Sequence, residues 1–194
     1  MWFGRRINHL HAQRVNTLVQ RHLEAGIPFG VLRPDDSAVR EIEDALRIAE
    51  RSGDDLALAF ARMTLGVGLV QRQAAAERDR GQTLLAEVSE VFVRGGHDLS
   101  ELPIVEVYKA RERARCGDRD DALPRMRAAV DDLFGQVRLP LWGIPATGVV
   151  VEALLDRGAD GDVAAEAAIE RLAAAPADEG LVIRDIWLLR LQAL

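Results

Sequence analysis

The feature that most constrains the fold is a helix–turn–helix unit in residues 99–134, LSELPIVEVYKARERARCGDRDDALPRMRAAVDDLF. Apolar residues recur at helical spacing on both arms of this unit, so each arm has one face that must be covered. A short turn joins the arms, and two such faces cover each other across it. The apolar positions are Ile104, Val107, Tyr108 and Ala114 on the first arm, and Leu123, Met126, Val130 and Leu133 on the second.

The turn between the arms carries its own signals. Gly117 can adopt the left-handed conformation that ends the first helix. The acidic residues of 118–121 can cap the second helix and interact favourably with the positive end of its dipole. With Asp120 or Asp121 as the cap, Pro124 lies in the first helical turn, where its missing N–H costs little.

Further amphipathic segments predict more helices along the chain. The order of helix, glycine and aspartate recurs at residues 52–55, Ser-Gly-Asp-Asp. Residues 72–80 are polar and fit either a helix end or a turn, and the Pro- and Gly-containing residues 135–145 predict a loop. The valines 149–151 would by themselves also suit a strand, but a helix ended by Gly158 agrees better with the series. The predicted helices are 6–25, 37–50, 56–72, 82–94, 147–156, 162–175 and 181–194.

The helices recur with a regular period. Helix starts near Ser37, Gly81, Asp120 and Asp162 are separated by roughly 40 residues, which is typical of two-helix repeat arrays. The sequence therefore predicts an all-α fold in which about four antiparallel hairpins stack in residues 35–194. Residues 1–34 are predicted to form a separate basic N-terminal helix and connector. In such arrays each hairpin contacts only its neighbours, and stacking creates a concave surface suited to holding a partner.

The central corner resembles a known repeat. A small residue, Ala114, precedes Gly117-Asp118, and Ala122-Leu123 follows. This arrangement resembles tetratricopeptide repeats and implies a TPR-like α-solenoid.

A more specific resemblance covers roughly residues 37–194. It is carried by ALRIAERSGDDLALAFARMTLGVGLV (45–70), by the 99–134 unit, and by IPATGVVVEALLDRGAD (144–160) with GLVIRDIWLLRLQAL (180–194). These segments resemble the C-terminal helical region of large actinobacterial, especially mycobacterial, signalling and transcriptional-regulator-like proteins. Those proteins join a class III adenylate cyclase homology domain and an AAA-type ATPase to a helical-repeat tail.

No catalytic motif of that family is found in this sequence. It has no Gly-rich phosphate loop ending in Lys-Ser/Thr, and its 194 residues leave no room for a cyclase domain beside the repeats. We therefore expect no catalytic residue and no cofactor. The expected function is a non-catalytic module for protein–protein interaction or regulation in a bacterial signalling system. The alternative is a small-ligand-sensing regulatory domain derived from a cyclase/ATPase-type signalling protein.

Metal binding and nucleic-acid binding are not expected. The four histidines, at positions 9, 11, 22 and 97, have no carboxylate or thiol at a spacing that would complete a metal site. The net charge of −6 argues against a dedicated nucleic-acid binder, because phosphate contacts need clustered Lys and Arg. A basic N-terminal segment with Arg5, Arg6, Arg14 and Arg21 is the local exception.

The single cysteine and the apolar runs indicate the compartment. Cys116 excludes an internal disulfide and suits a reducing cytoplasm. The longest apolar run, residues 56–70, is interrupted by Arg62 and is too short to span a bilayer. We therefore expect a cytoplasmic protein without a membrane partner.

The predicted partner-binding residues are Trp142, in the loop between Pro140 and Pro145, and Arg138 beside it. Large aromatic residues and arginine are enriched at the centres of protein interfaces. Core packing is the alternative role for Trp142. The expected partner is another protein or a flanking signalling domain, and self-association into a homo-oligomer is a further expectation.

Overall fold

The computed structural model describes residues 13, 17, 34–95, 102–135, 142–175 and 182–194, with side-chain environments for all but residues 92–95, 159, 160 and 183. These residues form eight α-helices, and no strand occurs among them. The valines 149–151 lie in a helix. The all-α class predicted from the sequence is therefore confirmed for this part of the chain. The chain divides into two compact units, Met1–Asp98 and Leu99–Leu194.

The first unit contains α1 (Asp36–Ser52), α2 (Asp55–Val70) and α3 (Ala75–Gly95). The corner between α1 and α2 forms as the sequence predicts. Gly53 has φ 68°, in the left-handed region. The Asp54 carboxylate then accepts hydrogen bonds from the backbone N–H groups of Leu56 and Ala57, at 3.1 and 3.0 Å. An aspartate at this position satisfies donors that would otherwise have no partner at the start of a helix.

Helix α2 packs against both α1 and α3. The helix start predicted near Gly81 is wrong, because α3 begins at Ala75 and Gly81 lies inside it. Position 81 is a glycine because the backbones of α2 and α3 approach closely there. A Cβ atom at Gly81 would lie 2.9 Å from the carbonyl oxygen of Gly66 on α2, and 2.8 Å from Cγ1 of Val70. Gly81 is therefore a contact residue in a helix interior.

The second unit contains α4 (Leu102–Arg115), α5 (Arg119–Gly135), α6 (Ile144–Leu155), α7 (Ala159–Ala174) and α8 (Val182–Gln192). Helix α6 packs against α4, α5, α7 and α8, so it forms the centre of this unit. Its sequence is apolar nearly all round, as expected for a helix with neighbours on every side. The corner between α4 and α5 contains Gly117 at φ 102°, which confirms the predicted left-handed glycine.

Three predicted boundaries in this unit are wrong, and one of them is the helix start near Asp162, since α7 begins at Ala159. The cap of α5 is not Asp120 or Asp121, because the helix already begins at Arg119 and Pro124 lies inside it. The missing N–H of Pro124 therefore leaves one intrahelical hydrogen bond unmade. The loop was predicted to extend from residue 135 to residue 145. It ends earlier, because residues 142–143 already form a helical turn and Pro145 lies in the first turn of α6. Proline is tolerated there because the first N–H groups have no intrahelical acceptor.

Helix α8 is fixed to α6 by a ring contact. The buried indole of Trp187 lies against Gly148, where it occupies the space that a side chain on α6 would fill. None of the helices in the described part of the chain is long and apolar enough to cross a bilayer.

Candidate functional site

A groove of about 340 Å³ lies between α5, α6 and α7 in the second unit; we call it the α5–α7 groove. Helix α6 forms its floor, and α5 and α7 form its walls. Its lining is mainly apolar, with charged side chains from both walls. The lining residues are Arg127, Val130, Asp131 and Phe134 on α5, Thr147, Val150 and Leu154 on α6, and Ala164, Ala167, Ala168 and Arg171 on α7.

The spacing of these residues explains the shape of the groove. Each helix contributes positions separated by three, four or seven residues, which lie on one face of a helix. A stretch of seven residues is about 10 Å long, or two helical turns. The wall on α7 is built from three alanines, whose side chains are too short to reach across to α5, and from Arg171, which does reach it. The groove is therefore open beside the alanines and is bridged where Arg171 contacts Asp131 and Phe134.

The floor of the groove is effectively apolar. Its only hydroxyl among the lining residues belongs to Thr147, which donates to the carbonyl oxygen of Gly143 at 2.7 Å. The Thr147 hydroxyl thus already donates a hydrogen bond to the backbone at the start of α6. Val150 and Leu154 supply the rest of the floor and are themselves buried. Little of this floor is exposed, so a ligand would make its apolar contacts mainly with the walls, where Phe134 is half-buried and Ala167 is exposed.

Positive charge exceeds negative charge at the rim. Arg171 forms an ion pair with Asp131, and its guanidinium lies 4.0 Å from the centre of the Phe134 ring. These two contacts join α7 to α5. Arg127 makes no ion pair with any other residue that the structure describes, and it is exposed. Two guanidinium groups and one carboxylate therefore leave the groove with one excess positive charge.

A second charged cluster links α4, α6 and α8. The Glu152 carboxylate accepts hydrogen bonds from Arg111 at 2.8 Å and from Arg190 at 2.5 Å. Glu152 and Arg111 each expose 18% of their side chains. The Arg190 guanidinium also lies over the Trp187 ring, 4.8 Å from its centre. This cluster connects three helices with charge-assisted hydrogen bonds.

The chain's single tyrosine lies beside this cluster. Tyr108 is fully buried, and burial raises the pKa of its hydroxyl from 10.0 to about 12. That value includes a smaller upward effect of the nearby Glu152 and the opposing effects of Arg111 and Arg190. A phenol with such a pKa stays neutral at physiological pH. Tyr108 therefore acts in packing and does not supply an anion.

Of the two residues predicted to bind a partner, the structure describes only Trp142. Trp142 is 3% exposed, in the turn before α6, and does not line the α5–α7 groove. Arg138 lies outside the described residues, so its role stays a prediction. The residues that sequence reasoning missed are Arg127, Phe134 and Arg171. Their helical spacing was visible in the sequence, but the pairing of α5 with α7 across a gap was not.

The sequence predicts that the histidines form no metal site. All four histidines lie outside the described residues, so this stays a prediction. Within the described ranges, no three His, Cys, Asp or Glu side chains lie close enough together to hold a metal ion. Cys116 is exposed at the turn after α4.

Comparisons with protein-family models, with curated proteins and with solved structures give no match for this chain. Function is therefore inferred from the geometry and charge of the molecule itself.

Proposed function

We propose that this chain is a non-catalytic helical-repeat module that binds a protein partner. The α5–α7 groove receives an amphipathic helix of that partner, with an acidic residue beside its apolar face. The observation that carries this proposal is the combination of an apolar floor with a rim that bears two arginines and one aspartate.

The dimensions of the groove favour a helix as its occupant. In helix-in-groove recognition, apolar residues at positions i, i+3 or i+4, and i+7 enter a channel between helices. The groove is about two helical turns long, which matches one such set of residues. A carboxylate on the flank of the bound helix would lie near Arg127 and neutralise the excess charge. Charge complementarity of this kind contributes to specificity and to the rate of association.

The architecture that we propose for the array is a TPR-like α-solenoid. It is supported in the second unit, where α4 with α5 and α6 with α7 are neighbouring pairs, and α6 also packs against α4 and α8. The resemblance of residues 37–194 to helical tails of bacterial signalling proteins supports a regulatory role in the cytoplasm.

A peptide-display selection tests the partner class. The protein is the bait, and its Ala167→Trp variant, which fills the groove from an exposed position on α7, is used for counter-selection. Ala173→Trp is the matched control, because Ala173 is also exposed on α7 but does not line the groove. We expect enriched peptides to be amphipathic and acidic, to bind the Ala173→Trp variant like the wild type, and to bind Ala167→Trp at least about tenfold more weakly.

Two results would contradict the proposal. One is a selection that enriches no peptide above background. The other is a set of peptides that bind Ala167→Trp as tightly as the wild type, since their site would then lie outside the groove.

The size of the groove supports a second candidate function, the sensing of a small ligand. A volume of about 340 Å³ falls within the range of roughly 300–1,000 Å³ that small-molecule sites occupy. The lining fits an apolar carboxylic acid, with its chain on Val150 and Leu154 and its carboxylate near Arg127. Native mass spectrometry of the freshly purified protein would show a retained small molecule that is lost in Ala167→Trp. A spectrum identical for both proteins would argue against this candidate.

A further inference from the structure

Helix α8 exposes an apolar stripe on the side opposite its buried face. Val182, Ile186 and Leu189 have 62, 40 and 69% of their surface exposed, and the buried face carries Trp187 and Leu191. Ala193, just after the helix, continues the stripe and is exposed. Large apolar side chains scattered singly on a surface need no explanation, but an aligned row indicates an interaction site.

The spacing of this stripe is that of a coiled coil. Positions 182, 186, 189 and 193 are separated by four, three and four residues, which is the alternation of d and a positions in a heptad. Ile186 is then at an a position, and Val182 and Leu189 are at d positions. In parallel coiled coils, a β-branched residue at a with leucine at d favours two strands over three or four.

The flanking charges fit the same arrangement. Asp185 is at a g position and Arg190 is at the e position five residues later, on the opposite flank of the stripe. In a parallel pair, the g residue of one helix faces the following e residue of the other. Asp185 of one copy would therefore meet Arg190 of the second copy, twice by symmetry. An antiparallel pair would instead place the two Asp185 flanks together, and the two Arg190 flanks together.

The surroundings of these two residues leave room for the contact. The Asp185 side chain is 66% exposed and lies 3.5 Å from Arg184. The Arg190 side chain is 36% exposed. Arg190 already binds Glu152 and lies over the Trp187 ring, and the five N–H donors of a guanidinium allow it to bind more than one acceptor.

We propose that this chain forms a homodimer in which the α8 stripes of two copies pair in parallel. The helix is already held in place by Trp187, so pairing orders little additional chain. From residue 182 to residue 193 the stripe is about 17 Å long, so the contact is small. Small interfaces of this kind form weak, reversible complexes. The surface is separate from the α5–α7 groove, and either proposal can fail without the other.

Sedimentation equilibrium of the full chain tests the dimer. The concentrations should run from about 1 µM to about 1 mM, where small interfaces associate. We expect Leu189→Asp to weaken dimerisation at least about tenfold, because it places a charge at the centre of the stripe. The matched control is Val163→Asp, since Val163 is 76% exposed on α7 and lies outside the stripe. This control should dimerise like the wild type, and circular dichroism should confirm that both variants are folded.

A cysteine cross-link tests the parallel orientation. In a Cys116→Ser background, Val182→Cys places the new thiol at the start of α8. Parallel pairing brings the two thiols together, whereas antiparallel pairing separates them by about 17 Å. We expect a disulfide-linked dimer on mild oxidation, and none from Val163→Cys in the same background.

Three results would overturn the proposal. The first is a wild type that remains a monomer over the whole concentration range. The second is a dimer that is insensitive to Leu189→Asp, which would place its interface elsewhere. The third is a Val182→Cys variant that cross-links no better than Val163→Cys, which would exclude the parallel arrangement.

Discussion

Replacing Gly148 by alanine tests the contact between α6 and α8 most directly. A Cβ atom added at Gly148 would overlap Cζ3 and Cε3 of Trp187 and would lie 2.8 Å from Cη2. The indole cannot simply turn outward, because Trp187 is 2% exposed and Arg190 covers its ring. The added methyl group must therefore displace the ring or shift the whole of α8.

The expected loss follows from two opposing effects. Alanine is favoured over glycine inside a helix by about 0.5–1 kcal/mol, which stabilises the variant. Overpacking of a filled core typically costs about 1–3 kcal/mol, and a clash with a large buried ring lies at the upper end of that range. We expect Gly148→Ala to lower the free energy of unfolding by about 2 kcal/mol.

Gly68→Ala provides the matched control. Gly68 is also inside a helix, but a Cβ atom there would meet Pro34 Cγ at 3.6 Å, an ordinary contact. This variant should be more stable than the wild type by about 0.5–1 kcal/mol. Urea unfolding followed by circular dichroism and by tryptophan fluorescence would measure both. A Gly148→Ala variant as stable as Gly68→Ala would refute the ring contact.

Three further predictions concern capping, charge and pH. Asp54→Ala removes the cap of α2 and should lower the free energy of unfolding by about 1 kcal/mol in urea titrations. Glu152→Gln leaves Arg111 and Arg190 without their shared carboxylate and should destabilise by about 1–2 kcal/mol, less at high salt, as thermal unfolding at two ionic strengths would show. Tyr108 should titrate near pH 12 by its absorbance at 295 nm, not near 10. Since its pKa is raised on folding, its stabilising effect is complete below pH 10 and is lost as the pH rises towards 12.

The sequence predicted the helix corners well because their causes are local. Gly53 and Gly117 take left-handed conformations that other residues rarely adopt, and Asp54 caps a helix that starts beside it. Such features depend on a few neighbouring residues. They could therefore be predicted without knowing how the helices pack.

The errors came where a residue that often marks a helix boundary lies inside a helix. Gly81 looks like such a boundary, but α3 begins at Ala75, and the close approach of Gly66 on α2 explains why position 81 is a glycine. Pro124 is likewise a favourable first-turn residue by local rules, yet α5 begins earlier, at Arg119. In both cases the neighbouring residues alone favour a helix start near the glycine or proline.

Small residues on a helix face have opposite effects at two places in the second unit. Gly148 on α6 gives a closed contact, because the Trp187 ring fills the space beside it. Ala164, Ala167 and Ala168 on α7 give an open groove, because no described side chain fills the space between them and α5. The sequence shows the small residues in both helices, but only the structure shows which side chain lies opposite. The periodicity of the sequence therefore predicted the helices that line the α5–α7 groove, but it could not predict the groove itself.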